Sequence, residues 1–403
     1  MNPSASGWIP KFLTIVDKQQ ILKNINSVSL YYNELKTTGF LYGTSTKALI
    51  NKPLSKLNIT KDEYTKINLF QSLLFTFFIN NPNANTNDAI VNIIAFYKEL
   101  DKGKTSFLYK FSASKKPSDN LEHILAARLQ ETNSLFNKNS NNIFTYTLLF
   151  LDILTYRKFL TSTKDCKEYV QELESDLINF SFLALKSKKE KDKTDLQIIE
   201  QIESSTAYLT IQNHQNQFLN LDSLDPSNYD ELEKRYIFDI CFLAVWNDRV
   251  LDKSEYSFLK KLVKTLQLPQ EHIVENITVI KEFSEKHSKS VKLFEYNNPL
   301  SQLYKQSTAT VKLLIIRNKN RLIRELEESG ELVKLLGQST LRELSTDEKD
   351  KVKEQLLDIC KTVPSLTIFL IPGGSLLLPL LVKYIPSLLP SAFNDNKIDT
   401  KNK

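Results

Sequence analysis

An all-α fold is predicted for this 403-residue chain by three features of its sequence. Only eight glycines occur, at 7, 39, 43, 103, 330, 337, 373 and 374, and none lies between Lys104 and Ser329. Hairpins and phosphate-cradling loops call for residues that accept positive φ without strain, so this long interval disfavours both. Neither Asn-Gly nor Asp-Gly occurs, and repeated alternating apolar–polar runs are missing. Helix starts, by contrast, are well marked: Thr60-Lys-Asp-Glu63, Asp252-Lys-Ser-Glu255 and Ser345-Thr-Asp-Glu348 each set an N-cap acceptor three residues before a glutamate that can bond back.

The first of these boxes opens INLFQSLLFTFFIN, residues 67–80. Its apolar run is too short to span a bilayer, and asparagines and Pro82 follow, so a buried core helix is expected. NIFTYTLLFLDILTY, residues 142–156, reads the same way and carries Asp152 inside it. The run KSKKEKDK, residues 186–193, mixes both signs and lacks apolar side chains, which predicts a solvated linker or helix end and a domain boundary. A second break is expected in FEYNNPLSQ, residues 294–302, where paired asparagines precede Pro299. The expected units are a helical amino-terminal domain over 1–190, a helical middle domain over 195–290, and a carboxy-terminal region over 300–403 with a hydrophobic segment at 362–393.

Composition narrows the function classes. With 41% hydrophobic and 25% charged residues, most of the chain should fold as ordinary soluble protein. The net charge of +6, from 53 basic and 47 acidic residues, is compatible with an anionic membrane face or RNA and is also common in solvated helical proteins; no DNA partner is expected. Cys166, Cys241 and Cys360 are odd in number and lack C-x-x-C spacing, so a reducing compartment is expected. The opening MNPSASGWIPKFLTIVDK has no basic stretch followed by an apolar run of secretory length, which predicts a cytoplasmic start. G-x-S-x-G, H-E-x-x-H, G-x-x-x-x-G-K-[ST] and G-x-G-x-x-G are all missing, and His123, His214, His272 and His287 stand isolated. A non-enzymatic role, with no cofactor and no small-molecule substrate, is the expectation.

Tyr236 to Pro269 predicts two helices joined by a short acidic loop. Ile237, Ile240, Cys241 and Ala244 form one apolar stripe; Leu259, Leu262, Val263 and Leu266 form the other. Around Asn247-Asp248-Arg249, Asp252 and Glu255 the hairpin resembles the tellurite-resistance B-like (TerB-like) helical domain. The resemblance implies a divalent metal held by Asp248, Asp252 and Glu255, an oxygen set suited to calcium or magnesium. Arg249 stands where that family usually has glycine. The residues themselves favour a capping box formed by Asp252 and Glu255 with Asp248 in solvent, which accounts for two of the three carboxylates.

The last fifty residues are the most distinctive. From Thr362 to Val382 no side chain is charged, and Lys361 and Lys383 bracket the run, long enough for a helix to cross a hydrocarbon core. Pro372, Pro379 and Pro386 each remove a helical donor and recur every seven residues, so the segment should bend repeatedly towards one side, with Gly373-Gly374 as a joint. Such a segment suits a membrane hairpin packed on partner helices, a lid over the protein's own helices, or a buried core helix. Upstream, VKLLIIRNKNRLIRELEE, residues 311–328, can lie on an anionic surface or stand in solvent as an amphipathic helix.

Leu344-Ser-x-x-Glu348, Asp358, Val363-Pro364, Pro372, Leu377-Leu378-Pro379, Pro386 and Leu389-Pro390-Ser391-x-Phe393 together resemble the LETM family and its bacterial relatives. The family carries an acidic residue associated with cation and proton exchange where this chain has Ser375, and it continues into a long domain linked to ribosome binding. Joined to a TerB-like domain, the segment is similar to the bacterial group called LETM-related biofilm-associated proteins. The resemblance implies a transmembrane or membrane-associated segment on the cytoplasmic side of a bacterial inner membrane, with a ribosome or a protein as partner; a soluble cytoplasmic protein is the alternative. It leaves two function classes, a membrane-associated scaffold or adaptor and a cation/proton exchanger or its subunit. Ser375 does not titrate near neutral pH, which favours the adaptor.

Overall fold

The structure is a computed structural model. It describes residues 1–22, 27–50, 52–56, 58–103, 116–135, 147–162, 165–191, 195, 196, 199, 221, 224–246, 251–287, 322, 324, 326, 328–339 and 345–362. Every regular element among the described residues is helical. In chain order they are α1 (Trp8–Ile15), α2 (Lys18–Leu22), α3 (Val28–Thr37), α4 (Lys61–Asn80), α5 (Thr86–Leu100), α6 (Pro117–Leu135), α7 (Leu149–Thr161), α8 (Cys166–Ser187), α9 (Glu231–Val245), α10 (Lys253–Thr265), α11 (Glu271–His287), α12 (Gly330–Ser339) and α13 (Thr346–Thr362).

Local chemistry starts these helices where the sequence places them. Thr60 Oγ1 accepts from the Glu63 N–H at 3.2 Å while Glu63 Oε2 accepts from the Thr60 N–H at 2.7 Å, closing the capping box of α4. Two further boxes, Asn85–Asp88 on α5 and Asp230–Glu233 on α9, do the same. Beyond its first turn α4 is buried almost all round, from Thr65 to Phe78. It fills the centre of the molecule, packed against α2, α5, α6 and α7. The expectation of a core helix at 67–80 is met, and residues 149–156 of the second apolar run are likewise buried, on α7.

Around α4, the next layer is α8, which packs on α7, α9 and α10. One hydrophobic cluster runs through these helices from Trp8 to Phe283. Helices of the expected 1–190 and 195–290 units therefore share a core, with α9 touching both α3 and α8. Aromatic rings supply much of it: Tyr31 stacks on Phe75 with centroids 3.8 Å apart, and Trp8 and Phe12 both meet the Phe70 ring edge-on. α8 ends at Ser187, as its basic run predicts. Lys188, however, is buried rather than solvated: its Nζ lies 2.5 Å from Asp195 Oδ2, and the pair shields itself where α8 leaves the core.

Charged groups inside the core are paired, as burial demands. Asp239 of α9 accepts from Lys36 Nζ at 2.8 and 2.7 Å and from the Tyr32 hydroxyl at 2.7 Å; Lys36 also donates to Asn276 Oδ1 of α11. That cluster clasps α3, α9 and α11 together. Asp152 takes a two-pronged contact from Arg128, Nε to Oδ2 at 2.8 Å and Nη2 to Oδ1 at 2.9 Å, plus the Tyr97 hydroxyl at 2.9 Å. Glu122 of α6 accepts from the N–H groups of Gly7 and Ile9, both at 2.8 Å, and so caps the start of α1.

Candidate functional site

Two regions carry the residues that sequence analysis singled out. The first is the turn between α9 and α10. Both predicted stripes are buried: Ile237, Ile240, Cys241 and Ala244 on α9, and Leu259, Leu262, Val263 and Leu266 at and just beyond α10. Asp252 is the N-cap of α10. Its Oδ1 accepts from the Glu255 N–H at 2.8 Å, and Glu255 Oε2 accepts from the Asp252 N–H at 2.8 Å. The Glu255 amide, ahead of lesser contributions, holds the Asp252 carboxyl below its ordinary range. Asp248 lies outside the described residues. Two of the three candidate metal ligands are thus engaged in starting a helix, and among the described residues no group of three potential ligands converges.

The second region is the pair α12–α13, which lie against each other. The predicted box at Ser345 is formed: Glu348 Oε2 accepts from the Ser345 N–H at 2.8 Å, and Ser345 Oγ from the Glu348 N–H at 3.3 Å. Leu332 and Leu335 of α12 and Val352 of α13 are buried, as are Leu322 and Leu326 upstream. None of these five belongs to the large cluster that ends at Phe283. Polar contacts close the pair at its edge: Gln355 Nε2 donates to Glu331 Oε2 at 3.0 Å, Lys351 Nζ reaches Glu331 Oε1 at 3.4 Å, and Ser329 Oγ donates to Gln355 Oε1 at 3.2 Å.

α13 follows the helical period: Val352 turns inward while Asp347, Asp350, Glu354 and Asp358 are exposed. Asp358, one of the residues singled out in the sequence, therefore stands on the solvent side of the helix. The motif residues Pro364, Pro372, Gly373, Gly374, Ser375, Pro379, Pro386, Pro390 and Phe393 lie outside the described residues. Among those described, no helix is long and apolar enough to cross a membrane. Sequence reasoning did not foresee the Glu331–Lys351–Gln355 contacts, since partners 20 and 24 residues apart carry no periodic signal.

Residues 344–403 match the family described as "LETM1-like, RBD". The match begins one residue before the Ser345 cap, so α13 is its first structural element. No curated protein and no solved structure matches the chain.

Proposed function

We propose that the protein, LETM-like over its last sixty residues, is a non-enzymatic helical adaptor that associates with the cytoplasmic face of a bacterial inner membrane and offers that region to the ribosome. The observation that carries the reading is the coincidence of the family match, ribosome-binding-like in kind, with a helical pair whose buried side chains, among the described residues, are not members of the large core cluster. A region stapled by its own cap and edge contacts can be presented to a partner while α1 to α11 remain packed as a platform. The membrane part of the reading is supported by the sequence from Thr362 to Val382, which has no charged side chain.

Fractionation and ribosome co-sedimentation test the two parts separately. Full-length protein should be recovered with membranes and released only by detergent, and deletion of 363–403, which leaves α13 intact, should return it to the soluble fraction. Detergent-solubilised full-length protein should pellet with ribosomes through a sucrose cushion, and the deletion should weaken that association. A full-length protein that is soluble without detergent overturns the membrane part. One that stays above the cushion at low salt overturns the ribosome part.

A further inference from the structure

Among the described residues α11 is the last helix of the large core before α12 and α13, and its buried residues lie largely on one face. His272, Asn276, Ile280 and Phe283 are buried there, and His287, half-buried, ends the row. The His272 ring meets Phe238 of α9 edge-on at 6.2 Å, and its Nδ1 lies 3.6 Å from Glu275. His287 Nε2 is 3.3 Å from Thr46 Oγ1, and its ring is 4.9 Å from that of Phe283, which in turn meets Tyr42 at 5.1 Å. Between the two histidines Asn276 accepts from Lys36.

Charges of both signs surround the His272 imidazole, and cations surround that of His287. His272 faces Arg235 and Asp239 from α9, Lys36 from α3 and Glu275 from its own helix. His287 faces Lys47 from the loop after α3, Lys61 from the start of α4 and Lys286 beside it. α10, also packed on α11, spends its buried carboxylate, Glu255, on the cap at Asp252. Burial first, with Arg235 and Lys36 at His272 and Lys286, Lys47 and Lys61 at His287 after it, holds both imidazoles below their ordinary titration range while α11 is docked, against the opposing pull of Asp239 and Glu275 on His272.

We infer that α11 is an acid-sensitive latch, whose docking on α3, α9 and the loop after α3 is loosened when His272 and His287 take up protons. The sign follows from linkage. Undocked, an exposed imidazole titrates near about 6.5; docked, both resist protonation. Docking is therefore at full strength above about 6.5 and is lost as pH falls below it, with the opening constant rising by at most about tenfold per histidine per pH unit.

Hydrogen exchange with mass spectrometry on the full chain, at about pH 7.5 and about pH 5.5 and corrected for intrinsic amide rates, reads this directly. Peptides of 271–287 should open several-fold more readily at the lower pH, up to about tenfold per histidine, while peptides of α7 hold. His272→Gln with His287→Gln should abolish the rise, and His123→Gln, on α6, should leave it intact. Should the double variant fail to fold, each single variant carries the test by removing part of the rise, the larger part with His272→Gln, the more buried of the two. No rise in the wild type, a rise that survives both histidine substitutions, or its loss in His123→Gln overturns the inference.

Discussion

Replacing Asp239 by alanine should be among the most damaging single changes available to this chain. Asp239 and Lys36 keep 3% and 9% of their side chains exposed, so neither charge has water to fall back on. The substitution removes both oxygens that receive Lys36 and the one that receives Tyr32, leaving the ammonium with Asn276 alone. Removing one partner of a buried pair costs about 3–5 kcal/mol because the other charge is left uncompensated. That is a large share of the roughly 5–15 kcal/mol that holds a folded domain together. Lys36→Met combined with Asp239→Leu behaves differently, because no charge remains and the stems stay apolar. It leaves the Tyr32 hydroxyl and Asn276 Oδ1 without those partners, while Asn276 Nδ2 still donates to the His272 carbonyl, a cost of about 1–3 kcal/mol each at most, which new apolar contacts partly offset. Urea unfolding followed by circular dichroism on wild type, Lys36→Met, Asp239→Leu and the double completes the cycle, with Asp239→Ala measured beside it. The double variant should be more stable than Asp239→Ala, by on the order of 1 kcal/mol or more, because it strands no charge. An Asp239→Ala loss below about 1 kcal/mol, or purely additive single effects, would refute the idea that this pair clasps α3, α9 and α11.

Further outcomes are expected elsewhere in the core. Burial pushes the Glu122 carboxyl up to about 7, against the pull of the Ile9 and Gly7 amides and of Lys66. Its contribution to stability is present below the unfolded value and lost as pH rises through about 7, a change of order 1–3 kcal/mol that Glu122→Gln should flatten in urea midpoints taken across that window. Gly39→Ala puts a β-carbon into the Thr44 carbonyl oxygen and the Phe283 ring at a φ of +86°, and should lower stability by at least about 2 kcal/mol in thermal unfolding. Asp252→Ala should lose about 1 kcal/mol of helix capping, equally with and without millimolar calcium or magnesium; a loss that appears only with metal present would restore the metal-binding reading of the loop.

Local signals were legible in the sequence and distant ones were not. The three capping boxes at Thr60, Asp252 and Ser345 all form because their two partners sit one helical turn apart, within reach before any tertiary structure exists. The apolar stripes of α9 and α10 follow from helical period in the same way. Asp230–Glu233 carries the same signal and forms the same box, while Asn85–Asp88 uses an aspartate where the pattern has glutamate or glutamine. What no window could reveal is pairing across the fold: Lys36 with Asp239 spans 203 residues, and Glu122 reaches back 115 residues to the Gly7 amide. Lys188 shows the converse failure, since a run that reads as solvent-loving holds one lysine inside because Asp195 is there to receive it.

The distribution of acidic residues also bears on the choice between adaptor and exchanger. Coupled exchange needs a carboxylate that can take up and release its charge in apolar surroundings, and Asp152, buried within an apolar helix, is the obvious place to look. Yet both its oxygens are held by Arg128, and Tyr97 donates to one of them, so releasing it would strand a guanidinium in the core. Asp239 is bound in the same manner by Lys36 and Tyr32, and Glu233 by Lys158 and Tyr169. These buried carboxylates are committed to holding helices together. The acids of α13, Asp347, Asp350, Glu354 and Asp358, lie instead on a solvent-facing surface. Buried charge that fixes the platform, with exposed charge on the helix that opens the LETM-like match, is an arrangement suited to holding one surface rigid while another meets a partner.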